Sequence, residues 1–314
     1  MGNWAEITDE ISKIYQDNQY KIRQINDVDA VSDKRREALQ ALFEHTGRNV
    51  IVYYSAWLEN GRRFSGQSTD FSVNDTDKNS FMTALHKLDQ SKGLDLILHT
   101  PGGDVAATES LVDYIHALFG QDFRVIVPQL AMSAGTMIAL SSKEIVMGKH
   151  SSLGPIDPQF NGLPAHGLLE EFEQAKKEVS ENPQTAHIWQ VILNKYNPTM
   201  LGEAKKAIQW SNSMVKQWLE KGMFLDEPDK EEKATRAIKE LADHSVTLAH
   251  NRHISVSKAL ELGLNIKELE SDPKLQDLVL TLHHLSVIAA QRGPLIKFVV
   301  NHDNRGTFLQ GHEN

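Results

Sequence analysis

Two short stretches hold residue types whose order and spacing suit nucleophilic chemistry. In LILHTPGGDVAATESL, residues 96–111, an apolar run meets Pro101, Gly102 and Gly103 and then a helical pattern. In QLAMSAGTMIALSS, residues 129–142, a single hydroxyl, Ser133, opens an otherwise apolar helix. Glycines at a strand end let the backbone turn sharply or approach a ligand closely, and a lone serine before a helix is ordinarily an N-cap. Ligand chemistry in open α/β sheets collects beyond the carboxyl ends of the strands, where both stretches fall. That position favours a nucleophile at Ser133, with the N–H groups of Gly103 and Ala134 aimed at one developing oxyanion. Gly102 would permit the turn, and the helix dipole would add positive potential. Ala131, Ala134 and Gly135 leave room for a substrate carbonyl, while the plain N-cap stays open as the alternative for Ser133.

The elements that must position these residues follow from periodicity. Residues 3–47 have helical spacing with a break at 26–33, and 49–58 is a β-branched, aromatic strand. Residues 59–80 form a polar, glycine-containing loop or lid. Helices are expected near 79–90, 104–119 and 133–142, alternating with strands at 94–99, 123–128 and 143–148. Such alternation predicts a largely parallel sheet covered by helices. Residues 168–248 are mainly helical, further helices follow at 255–264 and 273–293, 295–300 is a last strand, and 301–314 a polar tail. The expected organisation is a helical extension at 1–47, a catalytic domain at 48–268 with a helical insertion at 168–248, and a helix and tail at 269–314.

Composition removes several classes of function. The 314-residue chain has no cysteine, which excludes thiol nucleophiles, disulfides and cysteine-bound zinc. Its formal net charge of -9 argues against nucleic acid as a partner, and the short runs DKRRE and AKKA are taken as solvated helix faces. No apolar run approaches the roughly 18 residues of a membrane span, and the start MGNWAEITDE lacks a signal-peptide pattern, so a cytoplasmic location is expected. Neither HExxH nor a glycine-rich phosphate loop occurs; no metal or cofactor is expected.

TPGGD, AMSAGTMIA, KEIVMGKHSSLGPIDPQ and HISVSKALELGLNI appear in the order of the landmarks of Clp-fold serine peptidases. The chain most resembles the serine dehydrogenase proteinase family, relatives of Clp protease and signal peptide peptidase A, over residues 90–160 and 247–268. The resemblance implies an α/β fold of the ClpP/crotonase-like spiral type with added N-terminal and C-terminal helices, hydrolysis of peptide bonds and a homo-oligomer. Clp proteases order their triad Ser, His, Asp. Here the position 24 residues after Ser133 holds Asp157, and the segment where the acid would stand holds His250 and His253. The resemblance implies the order Ser, Asp, His for this family, and a triad is defined by roles, not by order. Ser133 is then the nucleophile, Asp157 the orienting acid and His250 the base.

With 14 histidines in the chain, nearness in sequence alone does not choose the base. His253 is the rival of His250, and His166, following the GPIDPQ segment, is a further candidate. His99 and His150 are read as structural, and the adjacent His283 and His284 face different ways on a helix and form no metal motif. A Ser-Lys dyad of the signal peptide peptidase A type is a second possibility: Lys176 and Lys177 stand 43 and 44 positions beyond Ser133, in a charged amphipathic stretch. A non-hydrolytic crotonase-like binding or assembly protein is the third. The expected partners are a peptide or protein substrate and further copies of the chain; a separate unfoldase leaves no mark in the sequence.

Overall fold

Residues 50–54 are apolar or aromatic at every position, which suits a strand covered on both faces. The computed structural model, which describes residues 13, 28–160, 163–242 and 251–312, has β1 there (Asn49–Ser55), buried along its whole length. The strands that follow are β2 (Leu94–His99), β3 (Phe123–Val127), β4 (Leu130–Ala131), β5 (Glu144–Met147) and β6 (Ser152–Leu153). Then come β7 (Gln159–Phe160), β8 (Leu163–Pro164), β9 (Ile266–Glu268), β10 (Leu295–Asn301) and β11 (Gly306–Gln310). Seven form one sheet in the order β11-β10-β1-β2-β3-β5-β9. Its central strands run parallel, and the β10–β11 hairpin is added antiparallel to β1.

Alternation along each strand feeds two cores. Ile51, Tyr53, Leu94, Leu96, Leu98, Val125 and Ile145 share one with helices Val105–Phe119, Ala134–Leu140 and Met200–Lys221. Val50, Val52, Tyr54, Ile97, Ile126 and Val146 share the other with Leu39 and Leu42 of helix Val28–Thr46 and Val279 of helix Pro273–Arg292. Each such leucine or valine stabilises the fold by about 1.5–3 kcal/mol relative to exposure. At the amino ends of the strands, Asp95 is fully buried and accepts from Arg48 Nε at 2.6 Å and Arg124 Nε at 2.8 Å.

Four expectations need correction. The helix Val28–Thr46 runs through most of the break expected at 26–33. The loop at 59–80 holds short helical turns at Ser65–Gln67 and Ser68–Phe71, and helix Thr76–Leu85 begins inside it. The tail at 301–314 contains β11, because pairing with β10 satisfies its backbone and Phe308 stacks on Phe298 at 5.2 Å. Arg35 of DKRRE is only 5% exposed, although Arg36 beside it is solvated. The calls on residues 3–27 fall outside the described residues, except at Lys13, which is helical.

Behind the strand ends lies a buried layer of imidazoles. His99 is fully buried between Trp57, at 4.4 Å, and Tyr54, at 4.8 Å, with His283 edge-on at 5.2 Å. The Leu130 amide donates to His99 Nδ1 at 3.3 Å, so the proton of the neutral ring sits on Nε2, which has no partner among the described residues. Burial, and then His283, holds His99 well below the ordinary histidine range. Burial, with His284 and His150 nearby, brings His283 down to about 3. Between pH 6.5 and 5 the unfolded chain therefore takes up protons that the folded chain refuses. Stability is full above that window and falls on acidification by about 1.4 kcal/mol per pH unit for each such histidine. Urea unfolding of wild type and His283→Leu at pH 7, 6 and 5 should show the variant's profile flatter by one histidine's slope; parallel profiles would refute the assignment.

Candidate active site

The two sequence stretches meet through backbone. β2 runs on to Thr100, whose amide donates to Leu130 O at 3.1 Å, and Met132 N returns a bond to Thr100 O at 3.0 Å. The chain then turns sharply: Gly135 N donates to Met132 O at 2.8 Å, with Ser133 at φ 50°, ψ -116°. These are the torsions of the first central residue of a type II′ turn, a position dominated by glycine. Holding a serine there costs on the order of 1–3 kcal/mol. Nor does Ser133 act as an N-cap: its side chain makes no cap hydrogen bond, and the residue is half-buried.

Gly102 faces this turn at φ 98°. A Cβ on Gly102 would lie 2.6 Å from Ser133 Cβ and 2.6 Å from Met132 O. Gly103 pairs with Val73: Val73 N donates to Gly102 O at 2.8 Å and Asp104 N to Val73 O at 2.9 Å. Alternate residues of a paired strand direct their amides to opposite sides, so the Gly103 N–H points away from Val73. The Ala134 N–H is the first of its helix, where no intrahelical acceptor exists. Neither amide has an acceptor among the described residues. Asp104 closes the loop by capping helix Val105–Phe119, accepting from Ala107 N at 2.8 Å.

A buried polar chain that the sequence did not announce clamps the glycine loop. Asp77, 2% exposed, bonds Tyr53 OH at 2.9 Å, Asn74 N at 3.0 Å and Lys297 Nζ at 2.7 Å. Lys297 Nζ also donates to Ser72 O at 3.0 Å. The Thr100 hydroxyl, at the end of the neighbouring strand, accepts from Gly102 N at 3.2 Å. Burial and the Asp77 carboxylate push the phenol well above its ordinary range, so it stays a donor. Residues 72–74, and with them Gly103, are thereby fixed to the sheet.

The GPIDPQ segment docks against the serine turn. Thr136 Oγ1, in the serine helix, donates to Ala131 O at 2.7 Å and accepts from Gly154 N at 2.8 Å. β6 pairs parallel with β4, and Leu153 exchanges two backbone bonds with Ile254, at 3.0 and 2.9 Å. One residue thus ties together the strand before Ser133, the segment leading to Asp157 and the segment holding His253. Asp157 is 1% exposed, and Gln159 Nε2 donates to its Oδ2 at 2.9 Å. His253, next to Ile254, is exposed; His250 lies outside the described residues. His166 follows Ala165, whose amide donates to Pro158 O at 2.9 Å, and its Nε2 is buried without a partner among the described residues. Lys176 is 71% exposed and ion-paired to Glu173 at 2.6 Å, and Lys177 is exposed beside it; neither is held against the half-buried serine by any contact. Among the described residues no group of three or more His, Asp or Glu side chains could hold a metal ion, and no helix is long and apolar enough to cross a membrane.

Residues 29–300 match the family described as ClpP-like SDH-type serine proteinase. This chain belongs to that family. Its α/β fold is accordingly ClpP-like, and the family is named for serine proteinases. Two uncharacterized proteins of Methanocaldococcus jannaschii, MJ0137 and MJ1495, are 33% identical over 190 residues and 32% identical over 194 residues. Each match covers 60% of this chain, but only 59% and 57% of the relatives, so the chain spans less than two thirds of their length. A solved mutant of the 1510-N membrane-bound stomatin-specific protease aligns with 62% of this chain and 74% of its own, at 18% identity and a TM-score of 0.36.

The geometry sets two expected outcomes. Gly102→Ala drives a methyl into the serine turn at a positive φ and should cost about 2–4 kcal/mol in urea unfolding, with loss of serine reactivity in the folded fraction. Asp77→Asn removes one partner of a buried ion pair and should cost about 3 kcal/mol; it should lower the rate of Ser133 acylation more than the affinity for substrate. Unchanged acylation in folded Asp77→Asn would show that the clamp does not position the loop.

Proposed function

We propose that this protein is a serine endopeptidase working through Ser133, Asp157 and a histidine of the 250–253 segment, His250 first. The observation that carries this is the left-handed, non-capping Ser133 held against Gly102 with two unpaired amides beside it. A strained serine that caps nothing has a structural cost and no structural return, which fits a nucleophile. In the mechanism, Ser133 Oγ attacks the substrate carbonyl while the imidazole takes its proton. The tetrahedral oxyanion is received by the N–H groups of Gly103 and Ala134. The imidazolium then protonates the leaving amine, and water repeats the sequence to release the acid. Asp157, buried on the segment that Leu153 ties to Ile254, would hold the imidazole in one tautomer. The substrate would be an extended peptide pairing its backbone beyond Gly103. Assembly into a homo-oligomer and the division into a 48–268 catalytic domain with flanking helices belong to the same proposal.

The ion-paired, exposed Lys176 gives the dyad no support. His166, with its buried, unpartnered Nε2, is the rival base that a specific observation favours. Labelling with a fluorophosphonate, read by intact mass, tests the assignment in wild type, Ser133→Ala, Asp157→Asn, His250→Ala, His253→Ala, His166→Ala and Lys176→Ala. One adduct per chain is expected, absent in Ser133→Ala, slowed at least about 100-fold in His250→Ala and unaffected in Lys176→Ala. Loss in His166→Ala with retention in both His250→Ala and His253→Ala would transfer the base to His166. Labelling that persists in Ser133→Ala would overturn the site.

A further inference from the structure

Most deeply seated cations in this fold have carboxylates. Arg48 pairs with Asp95 and Asp122, Arg124 with Asp95 and Glu144, and Lys297 with Asp77. Arg35, 5% exposed, has none within 4.0 Å among the described residues. Its one hydrogen bond runs from a terminal nitrogen to Ser32 Oγ at 3.3 Å, and its Nε has no partner. The guanidinium lies over the rings of Phe308, at 4.7 Å, and Phe298, at 5.3 Å. Burial lowers its pKa to about 10, which leaves it charged at neutral pH. A buried charge with unused donors is costly unless something completes it.

Beside Arg35 is a cavity of about 350 Å³, lined by Val31, Ser32, Pro294, Leu295 and Phe308 among others. It opens between helix Val28–Thr46, the end of helix Pro273–Arg292 and the β10–β11 hairpin, and shares no residue with the serine site. We propose that this cavity is a binding site for a small apolar monocarboxylate, its carboxylate on Arg35 and Ser32 and its body against Leu295, Pro294 and Phe308. A guanidinium presents a planar fork that matches a carboxylate; the exposed Arg292 also lines the cavity, while Arg35 and Ser32 are the groups at its buried side. The volume falls at the small end of ligand sites, which run from about 300 to 1,000 Å³. The same chemistry is offered by a free carboxylic acid and by the C-terminal carboxylate of a peptide ending in an apolar residue.

The test is calorimetric titration of the whole protein with 4-phenylbutyrate, 4-phenylbutan-1-ol and 4-phenylbutylamine, alongside an acetylated Leu-Phe dipeptide as free acid and as amide. Saturable binding of the acid, with neither alcohol nor amine bound, is the expected result. Arg35→Met should weaken it at least about tenfold, and Arg35→Lys should retain part of it. If Arg35→Met does not fold, the acid, alcohol and amine series on wild type decides alone. Binding of the dipeptide acid but not its amide would identify peptide C-termini as the source; binding of 4-phenylbutyrate alone would identify free acids. No saturable binding of any acid to folded wild type, equal binding of the alcohol, or unchanged affinity in Arg35→Met would overturn the proposal.

Discussion

The serine site depends on two backbones meeting with no side chain between them. Gly102 faces the Ser133 turn so closely that a methyl group on it would overlap Met132 O and Ser133 Cβ. Everything around the site serves that approach. The Thr100–Ala131 bridge brings the two strand ends together. Gly135 packs so tightly on Thr100 that a methyl there would meet Thr100 Cγ2 at 2.5 Å. Gly103 is pinned to Val73 on its other side. Strain at Ser133, of order 1–3 kcal/mol, is tolerated because the bonds of this interlock leave the turn no other conformation.

The sheet separates its tasks by end. The amino ends of β2 and β3 are locked by charge, with Asp95 buried between Arg48 and Arg124. The carboxyl ends carry open amides and the Ser133 hydroxyl, and the buried ion pair of Asp77 and Lys297 clamps the loop beside them. Beneath these ends lies the neutral imidazole layer around His99, which accepts from Leu130 N and so joins the end of β2 to β4. A neutral ring gives the segment before the serine turn a fixed support without adding a formal charge there.

Local features were the legible ones. β2 lies where its apolar run predicts it, and helix Val105–Phe119 follows its 3.6-residue pattern with Asp104 as cap. The glycine pair and the lone serine were visible because only small residues and a hydroxyl fit their roles. What could not be read was pairing across the chain. Nothing near Asp77 or Tyr53 in sequence indicates Lys297, because burial of that ion pair is decided by the arrival of β10. Arg35 looked like any arginine in a charged run; its burial follows from the hairpin that folds Phe308 over it. β11 was missed for the same reason, since its residues are polar or half-exposed and only the partner strand makes them a strand. The base is the opposite case: its candidates can be named from the sequence, while His250 falls outside the described residues.

The clamp also orders events in time. Gly102, Ser133 and Asp157 are all made well before the ribosome reaches Lys297, on the last long strand. A growing chain that already carries Ser133 still lacks the cation that fastens residues 72–74 to Asp77. The glycine loop is therefore left unfastened until residue 297 has been made. A chain cut short before β10 would carry the serine turn without the clamp that steadies the loop facing it.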